Sequence, residues 1–121
     1  MVNISLPLPP KELSPNGRNH RARKARAVRN YRRWAEVAAI QARPHGWVVP
    51  HELVVTCRFY FRDKRRRDRD NLLASMKAAF DGIVDSGLIR DDCDMIHMPV
   101  AIGYDRERQR VEITVAPPAS A

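Results

Sequence analysis

Thiols are scarce in this chain. Cys57 and Cys93 form no C-x-x-C pair, which leaves no disulfide framework and no dithiol redox centre to expect. Histidine is thin as well, because His20, His45, His51 and His97 are scattered without the paired spacing of a zinc site. The 5 glycines never gather into a phosphate-cradling loop, and this removes the common nucleotide-binding classes. No apolar run approaches the roughly 18 residues of a spanning helix. Pro7, Pro9 and Pro10 punctuate the start of the chain where a signal peptide would carry an apolar run, so the expectation is a cytoplasmic protein with no membrane partner. No internal repeat is visible. The sharpest local absence is acid: from Arg18 to Arg33 there is not one Asp or Glu.

What fills that stretch is arginine and lysine. With a net charge of +8 over 121 residues, the whole chain asks for a polyanionic partner, since phosphate neutralisation by Lys and Arg supplies most sequence-independent affinity for nucleic acid. Arg18, Arg21, Arg23, Lys24, Arg26 and Arg29 form one candidate DNA-binding run, and Lys64, Arg65, Arg66 and Arg67 form a second. A solvated basic face would look the same in sequence. A length of 121 residues and 44% hydrophobic content suit one domain, 1–121, with a single core.

The second basic run leads straight into acids, in RRRDRDNLLASMKAAFDGIVDSGLIRDDCD. Asp68, Asp70 and Asn71 suit a helix start, because their side-chain oxygens can accept free backbone N–H groups. Leu72, Leu73, Met76, Ala79, Phe80, Ile83 and Val84 follow helical spacing and predict one amphipathic helix from about Asp70 to Ser86. Asp70, Ala74, Lys77, Asp81 and Asp85 make its polar stripe, and Gly87 ends it. The chain then returns through Asp91 and Asp92, a path that could bring Asp92 beside Asp68. Carboxylates forced together repel unless a hard divalent cation such as Mg²⁺ neutralises them. Cations that hold a phosphodiester next to such a site are what a phosphodiesterase needs. The plainer alternative is that Asp68 and Asp70 only cap the helix and pair with neighbouring arginines.

RRDRDNL, KAAFDG, a Gly-containing turn and then DD, together with an N-terminal strand ending in PLPP and the polar loop SPNGRNH, resemble the RusA family of Holliday junction resolvases over most of residues 3 to 115. Members are small homodimeric, Mg²⁺-dependent endonucleases that resolve four-way DNA junctions, and many resemble phage or prophage proteins. The resemblance implies catalytic, metal-holding aspartates at Asp68, Asp70 and Asp92, with Asp91 an adjacent metal candidate. It implies Mg²⁺ as cofactor, with Mn²⁺ as an alternative, and branched DNA and a second copy of the chain as partners. It also implies a bacterial cytoplasmic protein that sits on the nucleoid when bound to DNA. The family's catalytic lysine falls four residues after the second aspartate, where this chain has Ala74. Lys77 is the expected substitute.

In chain order, Val2 to Leu8 alternates as an edge strand, residues 9–19 form a polar loop, and His20 to Arg43 reads as a helix with Ala27, Tyr31, Trp34 and Ala38 on its buried stripe. Glu52 to Arg62 alternates as a central strand. Met95 to Tyr104 and Arg110 to Ala116 read as a hairpin with a bulge at Pro99, and residues 117–121 as a frayed tail. The expected fold is α+β: one mixed four-stranded sheet with two helices, in the order strand, helix, strand, helix, strand, strand. The expected function is a Mg²⁺-dependent, structure-selective endonuclease. The competing reading is a non-catalytic DNA-binding phage protein, which needs only the basic helix. A calcium loop is excluded because Leu72 and Leu73 occupy the positions where an EF-hand needs an oxygen ligand and a glycine.

Overall fold

The computed structural model describes residues 1–15 and 20–118. Arg18 and the last three residues of the expected tail lie outside them. Alternation builds the sheet: β1 (Val2–Leu6) buries Val2, Ile4 and Leu6, and β2 (Leu53–Phe61) buries its odd-numbered residues from Leu53 to Phe61. The helical layer packs on that one face and leaves the other open. It consists of α1 (Arg21–Ala42), a short α2 (Arg69–Ala74) and α3 (Lys77–Asp85). The class is α+β, as expected.

Connectivity differs from the expected hairpin. β3 (Met95–His97) and β4 (Ala101–Tyr104) both run parallel to β2, whereas β5 (Arg110–Ala116) lies antiparallel between β1 and β2. A strand that returns through a helix comes back parallel, and this places β4 on the opposite side of β2 from β5. The sheet has five strands instead of four because Pro99, which has no N–H to give a ladder, interrupts the edge between His97 and Ala101. β1 pairs only with β5 and is an edge, although it stops at Leu6.

The expected single helix from Asp70 to Ser86 is broken. Ser75 Oγ donates to the Leu72 carbonyl at 2.6 Å and Met76 N–H bonds Leu73 at 3.0 Å, an i to i−3 turn that tightens the backbone and separates α2 from α3. Met76, fully buried, plugs the break, with the Tyr31 hydroxyl 3.8 Å from its sulfur. Tyr31 also donates to the Pro7 carbonyl at 2.7 Å, tying α1 to the end of the first strand segment.

On α1 the buried stripe is Ala27, Tyr31, Ala35 and Ala39, every fourth residue. Trp34 is 50% exposed, against the expectation of burial, and lies edge-on to Tyr31 at 6.4 Å. The reason is room. Gly82 of α3 comes so close to α1 that a Cβ there would overlap the Arg32 carbonyl and sit 3.0 Å from Ala35 Cβ. Only small side chains fit such an approach. Arg32 donates to Asp85 at 2.6 and 2.9 Å and closes the outer rim of this contact.

Candidate active site

β2 delivers the chain to residues 62–67, and this loop is stapled by its own side chains. Asp63 accepts the Arg65 N–H at 3.1 Å and the Arg67 guanidinium at 2.8 Å, and those two contacts hold its carboxyl below the usual range. Arg67 also donates to the carbonyls of Asp63 and Arg65, and its guanidinium lies 3.6 Å over the Phe61 ring. Arg67 is thus turned inward as a structural pin. Lys64 lies 5.3 Å over Tyr104, while Arg65 and Arg66 are exposed.

The loop ends at Asp68, which sits in extended conformation as the N-cap of α2. Its Oδ1 accepts the N–H groups of Asp70 at 2.9 Å and Asn71 at 3.2 Å. Asp70 follows in the first turn, exposed, on the wall of an opening of about 330 Å³ shared with Arg69, Leu73 and His97. Arg69 reaches across it to the Val100 carbonyl at 3.3 Å.

After the break, α3 begins at Lys77. Its ammonium lies 3.2 Å from Asp81 and 3.5 Å from Asp92, and these two carboxylates, Asp81 first, raise its pKa above the ordinary lysine value. Gly87, at φ +81°, stops the helix as expected and turns the chain back. Leu88 and Ile89 are fully buried, Trp47 Nε1 donates to the Leu88 carbonyl at 3.0 Å, and Arg90 clamps Asp94 at 3.0 and 3.2 Å. Asp91 caps the following short turn by accepting the Cys93 N–H at 3.1 Å. Its carboxyl is held low first by a hydrogen bond shared with Asp92 and then by that amide.

The return therefore brings Asp92 to Lys77. Among the described residues, no three acidic, histidine or cysteine side chains stand close enough together to hold an ion as they are. Arg21, Arg23, Lys24, Arg26 and Arg29 are exposed along the first half of α1, and none of them has an acidic partner among the described residues. Sequence reasoning missed the Asp63–Arg67 staple and the Arg90–Asp94 clamp. Both pairs are spaced i,i+4, the one signal that could have found them. Among the described residues no helix is long and apolar enough to cross a membrane.

Comparison with known proteins gives the family of the chain. The family described as endodeoxyribonuclease RusA matches residues 7–116. The chain is 32% identical to the crossover junction endodeoxyribonuclease RusA of Escherichia coli K12 over 118 residues, covering 93% of this chain and 92% of that protein. The Shigella sonnei protein of the same name matches equally. A protein of Xylella fastidiosa Temecula1, named only as uncharacterized, is 38% identical over 117 residues, 95% of this chain and 76% of that one. This chain belongs to the RusA family of endodeoxyribonucleases.

Proposed function

We propose that the protein is a Mg²⁺-dependent, structure-selective endodeoxyribonuclease that resolves four-way junctions and related branched DNA in recombination and repair. The observation that carries this reading is the position of Lys77. Family membership supplies the nuclease, and a chain whose lysine has moved three places along the sequence still sets that lysine 3.5 Å from Asp92.

The donor chemistry suits a hard divalent cation, Mg²⁺ or Mn²⁺. Asp68, Asp70, Asp92 and its chain neighbour Asp91 are exposed carboxylates, and Asp68 and Asp70 have no cationic partner among the described residues. These residues would hold the ion. When bound, it supplies Lewis-acid polarisation of the phosphate and a lowered pKa for attacking water. Lys77 neutralises the charge that develops on the phosphate, and the basic residues of α1 and of the 64–66 loop hold the DNA backbone without reading sequence. A four-way junction has two-fold symmetry, which a homodimer matches with one site for each of two strands. Sedimentation of the active protein should show a dimer, and an active monomer would refute that part.

The deciding experiment sets a synthetic four-way junction beside linear duplex, with and without Mg²⁺. Cleavage should be confined to the junction and require the ion, and Asp70→Asn should abolish cutting while junction binding stays intact. A second reading has an observation in its favour: Asp68 and Asp91 do serve as caps, which is all that a non-catalytic DNA-binding protein would ask of them. Undiminished junction binding with no cleavage by the wild-type protein would establish it.

A further inference from the structure

The break between α2 and α3 opens a recess of about 270 Å³ against α1. Lys24 stands on the α1 wall and Lys77 on the α3 wall, with Ala74 and Ser75 contributed by the break between them. Leu13 and Val28 give part of the remaining surface an apolar character. Asp81 is the acid of this lining, and it is already engaged by Lys77 at 3.2 Å. Ser75 Oγ is spent on the Leu72 carbonyl. Lys24 has no acidic partner among the described residues.

Two lysines lining one recess beside an apolar wall, Lys24 without an acidic partner among the described residues and Lys77 shared with Asp81 and Asp92, suit an anion carried on an apolar frame. The sugar–phosphate backbone has that chemistry, and lysine takes phosphate as a point charge from any direction. Lys77 belongs at once to this recess and to the Asp92 side of the proposed active site, so a strand running from one to the other passes it on the way. We propose that the recess is a second phosphate subsite, in which Lys24 and Lys77 grip a backbone phosphate flanking the scissile one and fix the register of the strand. The inference rests on the nuclease reading and names how that site holds its substrate. Lys24 is here a positioning residue.

The test neutralises single phosphates. Junctions carrying one methylphosphonate linkage at each position around the cut are bound in EDTA by the wild-type protein, by Lys24→Ala and by Arg23→Ala, a neighbouring cation outside the recess. One flanking linkage should weaken wild-type binding by about tenfold, as loss of a charge-assisted contact does. Lys24→Ala should bind the native junction less well and lose clearly less with that linkage than the wild type does, since only Lys77 then feels the phosphate charge, while Arg23→Ala and the linkage add independently. Ala74→Phe, which fills the recess from an exposed position, should erase the same linkage effect. If Lys24→Ala and the linkage add, or if no single linkage stands out, the subsite is overturned. Wild-type protein that cuts junctions with Mg²⁺ yet gives those results loses only the subsite. Protein that fails to cut junctions at all loses the nuclease reading as well.

Discussion

At residue scale the proposed mechanism turns on Lys77, because Ala74 carries no cation. The ammonium sits between Asp81 and Asp92, and the acids that raise its pKa keep it charged at any pH where the enzyme would work. Its ion pair with Asp81 is 70% exposed on the lysine side, and such pairs contribute little to stability. Lys77→Ala should therefore fold normally and lower single-turnover junction cleavage by about tenfold or more, provided the charge acts on the transition state. Rates within twofold of wild type would remove Lys77 from the mechanism and leave the 64–66 loop as the source of the cation. The carboxylates were legible as residues, because D-x-D-N ahead of an apolar stripe and D-D after a helix stop are local patterns. Their mutual placement was not legible, since it depends on how Leu88 and Ile89 bury and how Asp91 caps its turn.

Elements were legible where one residue fixes them and illegible where a neighbour does. Alternation predicted β2 and β5 face by face, and Gly87 ended the helix with the positive φ expected of it. The break at Ser75 was invisible because Met76 keeps the apolar stripe of an unbroken helix while its actual partner, Tyr31, is 45 residues away. Trp34 was misassigned for the same reason. What excludes it from the α1 stripe is the approach of α3 at Gly82, a fact about another helix. Gly82→Ala should then destabilise the fold by about 3 kcal/mol, the upper end for overpacking, since a Cβ meeting the Arg32 carbonyl cannot be relieved by rotating a side chain. Urea denaturation measures it. Wild-type stability would mean that α1 and α3 can separate freely, and with them the walls of the recess that carries Lys24 and Lys77.

At the scale of the whole molecule, charge is sorted by whether it has a partner. Arg32, Arg33, Arg67, Arg90 and Arg110 each hold an acid within 3.0 Å, so they offer the solvent little net field. Arg21, Arg23, Lys24, Arg26 and Arg29 hold none among the described residues and share half of one helix. Five unpaired cations are thus gathered on half of one helix, although a count along the sequence gives paired and unpaired arginines equal weight. Each phosphate that such a group neutralises contributes about −0.9 to the slope of log affinity against log salt. Arg26→Glu with Arg29→Glu should therefore flatten the slope for junction binding, measured in EDTA between roughly 50 and 200 mM salt, by about two units or more. Arg33→Glu, which replaces an arginine already neutralised by Glu36, should change it by less than half as much. Flattening by Arg33→Glu half as large as by the double variant would mean that the DNA feels only total charge. No flattening by the double variant would take α1 off the DNA and leave the loop before Asp68 to hold the junction alone.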